Sequence, residues 1–243
     1  MTSPASILPL EMRHVSFAAS GETLLKGIDC SLEAGPRTVV IGPNGAGKTL
    51  FLRLCHGLIQ PSTGEVLWHG AGQRDPARHQ TMILQRPVLL RRTVATNVEY
   101  ALSVKGVPRG ERGAIVAEVL ARTGLSRLTL QQARRLSAGE QQKLALARAW
   151  AIKPQVLFLD EPTASLDPAA THAVEEIIDH IHATGTKIIM TTHDLTQARR
   201  MADEVLFLHR GQLLDKSPAG CFFSGPANEM AQAFIDGELL WWE

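Results

Sequence analysis

The chain has 243 residues, with 25 Lys and Arg against 24 Asp and Glu and a formal charge of +1, so it lacks the basic excess of proteins that bind nucleic acid broadly. Its 44% hydrophobic and 20% charged content is that of globular material and excludes a disordered chain. No apolar run reaches the roughly 18 residues that a spanning helix needs.

The three cysteines, Cys30, Cys55 and Cys221, form no CxxC pair. Their odd number argues for a reducing compartment rather than a disulfide framework. The start, MTSPASILPLEM, has neither the basic head nor the long apolar run of a secretory signal.

In chain order, residues 10–33 read as two strands joined by the turn Ser20-Gly21-Glu22. Leu10 and Met12, then Val15 and Phe17, alternate with a slip between the pairs, as in a bulged strand. Arg37 to Ile41 is a β-branched strand that runs into Gly42-Pro43-Asn44-Gly45-Ala46-Gly47-Lys48-Thr49, and Lys48 to His56 is a helix rich in Leu and Phe. Pro61 to Gly64 turns into a short strand, Glu65 to Trp68. Thr81 to Leu84 is another, ending at Gln85-Arg86-Pro87.

Strand-like runs then disappear, and helical spacing takes over at Val94, Val98 and Ala101-Leu102. The basic stretch 105–135 reads as the solvated faces of short helices. A helix from Gly139 to Lys153 is stopped by Pro154, which lacks an amide proton and clashes with the preceding turn. Gln155 to Asp160 is a continuous apolar strand, as expected where helices cover both faces. Pro168 to Thr184 places Val174, Ile177, Ile178 and Ile181 on one helical face. Lys187 to Thr191 is a strand, Leu195 to Met201 a helix and Glu204 to His209 a strand, which turns through Arg210-Gly211 into Gln212 to Leu214. Such alternation predicts a mostly parallel sheet.

Three segments carry chemistry. Gly42 to Thr49 matches G-x-x-x-x-G-K-[ST] between a strand and a helix, where glycines let backbone amides turn toward phosphate oxygens. There Lys48 reaches the β- and γ-phosphates and the Thr49 hydroxyl ligates Mg2+. Asp160 and Glu161 end a buried strand at the edge where the phosphate loop also emerges. Asp160 suits Mg2+, and Glu161 suits a general base that polarises water. Leu136-Ser137-Ala138-Gly139-Glu140 opens a helix, whose N-terminus favours an anion.

In this order the segments resemble the ATP-binding cassette (ABC) family, from about residue 10 to about residue 215. The resemblance implies an α/β fold: a P-loop NTPase (RecA-like) core with a mostly parallel sheet, an antiparallel β subdomain and an inserted α-helical subdomain. It implies one ABC ATPase domain over 1–243, with the core in 1–87 and 154–224, a helical signature subdomain in 88–153 and a short tail in 225–243. It also implies ATP and Mg2+. Gly42, Pro43, Asn44, Gly45, Ala46, Gly47, Lys48 and Thr49 hold the nucleotide of one subunit, while Ser137, Ala138, Gly139 and Glu140 cap that of the other, so that ATP closes a head-to-tail homodimer.

Gln85 matches the family's glutamine that contacts Mg2+ or the lytic water, and His193 in Thr192-His193-Asp194 matches its switch histidine. Glu161, His193 and Gln85 are thus the expected catalytic residues, and Thr49, Gln85 and Asp160 the metal set. Asp167 in Ser165-Leu166-Asp167 matches the loop that crosses the dimer interface, and before Pro168 it also makes a sound helix cap. Ala138 replaces a glycine of the usual motif and Glu140 its glutamine, with activity expected to persist. Where the family offers an aromatic to adenine, this chain places Ala19, and alternation turns Phe17 toward the core.

The stretch after Gln85 resembles importers. TASLDPAAT, MTTHDLTQARRMADEVLFLHRGQLL and GELLW look most like bacterial tungstate and related oxyanion uptake cassettes. The expected partners are integral-membrane permease subunits and a periplasmic or extracellular solute-binding protein, with no nucleic acid, and the expected place is peripheral, on the cytoplasmic face of the plasma membrane. Two other readings stand beside this one: a soluble ABC ATPase acting on nucleic acid or ribosomes, and a monomeric P-loop kinase. Trp241-Trp242 is expected to pack on the core.

Overall fold

A computed structural model describes residues 6–71 and 75–238. Its elements are β1 (Leu10–Ala19), β2 (Glu22–Leu32), β3 (Thr38–Ile41), α1 (Lys48–His56), β4 (Thr63–Trp68), β5 (Gln80–Ile83), α2 (Val94–Val104), α3 (Arg109–Arg122) and α4 (Ala138–Ala151). These are followed by β6 (Val156–Asp160), α5 (Pro168–Ala183), β7 (Lys187–Thr191), α6 (Leu195–Met201), β8 (Glu204–His209), β9 (Gln212–Pro218), α7 (Ala219–Ser224) and α8 (Glu229–Ile235). They fall into two compact units, one from the residues through His79 together with those from Lys187 onward, the other from Gln80–Thr186.

The first unit holds an antiparallel sheet in the order β2-β1-β4. β1 slips register against β2 between Met12 and Val15, at the break in its alternation. There His14 takes a positive φ of 48°. A second set of strands centres on β3, which pairs in parallel with β7 on one side and β8 on the other, while β9 returns antiparallel to β8. β3 is buried along its whole length, which is why Thr-Val-Val-Ile can be apolar on both faces.

Two features went beyond the sequence pattern. β9 continues past Leu214 to Pro218, and α7 and α8 follow it. Phe222 of α7 and Phe234 of α8 pack on Phe207 of β8 with ring centroids 6.2 and 5.3 Å apart. Trp241 and Trp242 lie outside the described residues.

The second unit pairs β5 with β6 in parallel, from Gln80 opposite Val156 to Ile83 opposite Leu159. Its helices share one core. Val94, Val98 and Leu102 of α2 meet Val116, Val119 and Leu120 of α3 and Leu144, Ala147 and Ala151 of α4. The i, i+4, i+8 spacing in α2 puts its three residues on one stripe. α4 ends at Ala151; Lys153 takes a positive φ of 47° and Pro154 prevents continuation. Among the described residues no helix is long and apolar enough to cross a membrane.

Candidate nucleotide site

In the first unit β3 delivers the chain into Gly42–Gly47. Gly42, Gly45 and Gly47 all have positive φ, at 150°, 81° and 102°, a region in which side chains are strained. At Gly42 space also forbids a side chain, since a Cβ would overlap the Leu208 carbonyl oxygen, whereas one on Gly47 would lie 2.7 Å from Leu25 Cδ2 and oblige that side chain to shift.

Gly47 then caps α1, whose first turn carries no acidic residue. The open amides and dipole of that end therefore favour an anion. The buried Lys48 ammonium donates to the Gly42 carbonyl at 2.9 Å and the Pro43 carbonyl at 3.2 Å, which holds a cation against the loop. A brace comes from the β8–β9 turn: the Gly211 amide donates to the Ala46 carbonyl at 3.1 Å, and the Lys26 amide of β2 donates to the Gly211 carbonyl at 2.8 Å.

β7 is the parallel neighbour of β3, with Val40 opposite Thr191. The Thr192 amide donates to the Val40 carbonyl at 3.1 Å, so His193 leaves the same strand ends as the phosphate loop. It is exposed. Asp194 behind it fixes the turn by accepting from the amides of Thr196 and Gln197 at 2.7 and 3.2 Å, capping α6.

In the second unit the β5–β6 register sets Gln85 and Glu161 just past the carboxyl ends of adjacent strands. Asp160 is buried at the last position of β6, while Glu161 adopts a positive φ of 45°. That conformation is uncommon outside glycine and turns the chain sharply, so successive carboxylates leave the strand in different directions. Ala164 and Leu166 close the following turns with amides to the Glu161 and Thr163 carbonyls, both at 3.1 Å. Asp167 accepts from the Ala170 amide at 2.8 Å and caps α5, with Pro168 at its first position.

α4 opens with a reciprocal cap. Ser137 Oγ accepts from the Glu140 amide at 3.3 Å, and Glu140 Oε2 accepts from the Ser137 amide at 2.8 Å. The carboxylate at 140 is thereby turned back on its own helix end, a role its charge alone did not reveal. A Cβ on Gly139 would sit 2.9 Å from Ala170 Cβ, whereas Ala138 is exposed. Crowding by α5 thus demands glycine at 139 and leaves 138 free to carry a methyl.

Sequence reasoning missed two residues that fix the segment after Gln85. Asn97, fully buried, accepts from the Leu90 amide at 2.9 Å and donates to the Thr93 carbonyl at 2.9 Å. Its one signal was a polar residue beside the apolar stripe of α2. Arg148 of α4 donates to the Val88 carbonyl at 2.7 Å, and burial lowers its pKa. Beside them lies a groove of about 330 Å³, lined by Ile83, Pro87, Val88, Tyr100, Val104 and Arg148 among others. Val88 and Val104 are each 72% exposed.

The family model described as ABC transporter matches residues 25–164, more than half of the chain. The chain belongs to the ABC transporter family. As the ATP-binding component, it is an ATPase. This ABC ATPase is 39% identical over 207 residues to the tungstate uptake system ATP-binding protein TupC of Peptoclostridium acidaminophilum, covering 85% of this chain and 97% of that protein. It is 36% identical over 249 residues to the phosphate import ATP-binding protein PstB 2 of Natronomonas pharaonis, covering 96% and 88%. Among solved structures, CbiO1 from Clostridium perfringens, part of the ABC transporter complex CbiONQ, superposes with a TM-score of 0.77 at 26% identity, covering 86% of this chain and 88% of that one.

Proposed function

We propose that this ABC ATPase energises solute import, with tungstate or a related oxyanion as cargo, by closing as a homodimer on ATP and driving separate membrane subunits. The observation that carries the reading is the phosphate loop whose three glycines all take positive φ, with Lys48 held across it at an acid-free helix start. The import roles named for the tungstate and phosphate relatives support the direction of transport, and the 39% identity to the tungstate protein supports the cargo.

Each residue has a role in this scheme. The loop amides and Lys48 bind the β- and γ-phosphates, and His193 holds the γ-phosphate. Glu161 takes a proton from water as its oxygen bonds to the γ-phosphorus, and the bond to the bridging oxygen breaks to leave ADP and phosphate. Ser137 and the Gly139 amide of the second copy close over the nucleotide, and Asp167 lies at the dimer contact.

Among the described residues no three His, Cys, Asp or Glu side chains converge. Mg2+ needs no such cage, being held by one or two carboxylates together with substrate phosphates and water. The Thr49 hydroxyl, the Asp160 carboxylate and the Gln85 amide are hard oxygen donors of the kind it takes. When bound, it neutralises charge on the β- and γ-phosphates.

The apolar groove beside Gln85 receives the permease at the cytoplasmic face of the plasma membrane, and a solute-binding protein delivers the cargo outside. Glu161→Gln leaves ATP binding intact and stops hydrolysis, so sedimentation with saturating ATP and Mg2+ shows a stable dimer. A variant that stays monomeric contradicts the scheme.

A further inference from the structure

We infer that a hollow in the second unit, formed by residues 126–135, binds an organic phosphate, with Arg127 and Arg135 on the phosphoryl group and Leu130 against the organic body. The inference concerns a second anion site and does not depend on the nucleotide scheme above.

The hollow has a volume of about 700 Å³ and is lined by Ser126, Arg127, Leu130, Gln131, Gln132 and Arg135, together with Thr129. Small-molecule sites span about 300–1,000 Å³, and a water molecule takes only about 30 Å³, so a bare ion would leave most of it empty.

Its lining holds donors and no acid. From Val119 to Gly139 the chain has no Asp or Glu and carries four arginines. Arg122 is paired with Glu118 at 2.8 Å, and the next acid along the chain, Glu140, is turned to the Ser137 amide. Among the described residues no ion pair or hydrogen bond within the chain engages the side chain of Arg127 or Arg135. Two guanidinium forks, the amides of Gln131 and Gln132 and the Ser126 hydroxyl therefore face one space with protons to donate. Guanidinium forks match phosphate oxygens, to which each can donate twice.

Donors on a loose loop would simply be solvated, but these stand on a fixed one. At the start of α2 the Val94 and Ala95 amides donate to the Gln131 and Thr129 carbonyls at 2.9 and 3.0 Å, and the Ala133 amide donates to the Arg92 carbonyl at 2.9 Å. Thr129 Oγ1 donates to the Ser126 carbonyl at 2.6 Å. Leu125, Ala133 and Leu136 are buried in the helical core, which anchors the segment at both ends. The backbone is thus in place before a ligand arrives, which lowers the ordering cost of binding. Leu130 is 83% exposed, and an apolar side chain beside charged donors suits a ligand with a polar head and an apolar body.

Such a ligand comes from one of two sources, a soluble phosphate ester or the headgroup of an anionic lipid. In the first arm of the test the full chain is titrated calorimetrically with glycerol 3-phosphate in about 0.15 M salt, alongside Arg127→Gln, Arg135→Gln and, as a control on α3, Arg109→Gln. Each hollow variant is expected to weaken binding by about tenfold or more, and the control to stay within about twofold. Arginine side-chain NMR of the wild-type chain is expected to show two Nε–H signals moved by the ligand, those missing from the two hollow variants. In the second arm the chain is sedimented with phosphatidylglycerol–phosphatidylcholine vesicles. Sedimentation lost in both hollow variants assigns the hollow to lipid headgroups, and glycerol 3-phosphate binding without sedimentation assigns it to soluble esters. Equal losses in the control and the hollow variants reduce the effect to diffuse charge and overturn the inference. Binding that neither hollow variant weakens overturns it too, as does failure of both the ester and the vesicles to bind.

Discussion

The reciprocal cap at the start of α4 makes a prediction with two separable parts. Glu140→Ala removes the 2.8 Å acceptor of the Ser137 amide and the negative charge beside the helix N-terminus. A hydrogen bond to a charged group is worth about 1.5–3 kcal/mol where water is excluded, and the charge–dipole contribution about 0.3–1 kcal/mol. Ser137 is exposed, so water replaces much of the lost bond and the expected cost is about 1–2 kcal/mol. In a chain of this size that lowers Tm by roughly 2–8 °C.

Glu140→Gln keeps an oxygen acceptor and loses only the charge, at a cost of about 0.5 kcal/mol. Because the same exchange removes a negative charge from a helix end assigned to γ-phosphate, ATP turnover is expected to hold or rise. Thermal melts followed by steady-state ATPase rates, with and without 0.5 M salt, read both parts. Equal melts for the Ala and Gln variants, or a tenfold drop in turnover for Gln, would refute the assignment of this carboxylate to the cap.

Lys187, 1% exposed at the start of β7, donates to Thr38 Oγ1 at 2.8 Å and to the Pro36 carbonyl. Burial pulls its pKa from 10.5 down to about 8. The unfolded chain therefore holds this proton to higher pH than the folded one, and stability rises with pH between about 8 and 10.5 on this account, by about 3 kcal/mol at most. Urea melts of the wild type minus those of Lys187→Met should show that rise, and a difference flat across the window would contradict it. Val104→Asp, in the groove of the second unit, should leave ATP affinity and stability within about 0.5 kcal/mol while abolishing co-purification with membrane subunits. Retention of those subunits would remove the groove from the docking scheme.

Where local signals agreed, the sequence placed elements to the residue. α1, β7, α6 and β8 run between the ends read from the sequence, with α1 directly after Gly42–Gly47 and β8 ending at the Arg210-Gly211 turn. The bulge in β1 was legible because an extra residue in one strand moves every later side chain to the other face, and the apolar set resumes out of step at Val15. What escaped depended on contacts distant in sequence. α7 and α8 are too short to show a period, and they are held by Phe222 and Phe234 against Phe207. Asn97 drew no notice in the sequence, because its bonds to Leu90, Arg92 and Thr93 exist only in the folded chain, where it is fully buried. At the candidate site the residue types were readable from motifs. The occupation of Glu140 by its own helix, and the reason 139 must be glycine while 138 need not be, came only from three dimensions.

The Gly211 brace sets a lower limit on what can be cut away. Ala46, Lys26 and Gly211 are joined by two main-chain bonds, although Gly211 stands 165 positions downstream of Ala46 and 185 downstream of Lys26. A fragment trimmed to the stretch 25–164 would keep every residue of the phosphate-binding motif, yet lose the strands on either side of β3 and the turn that steadies Ala46. The smallest piece able to grip a triphosphate must therefore extend past residue 211, and slow solvent exchange at the Gly211 amide becomes a single-atom gauge of whether that grip is intact.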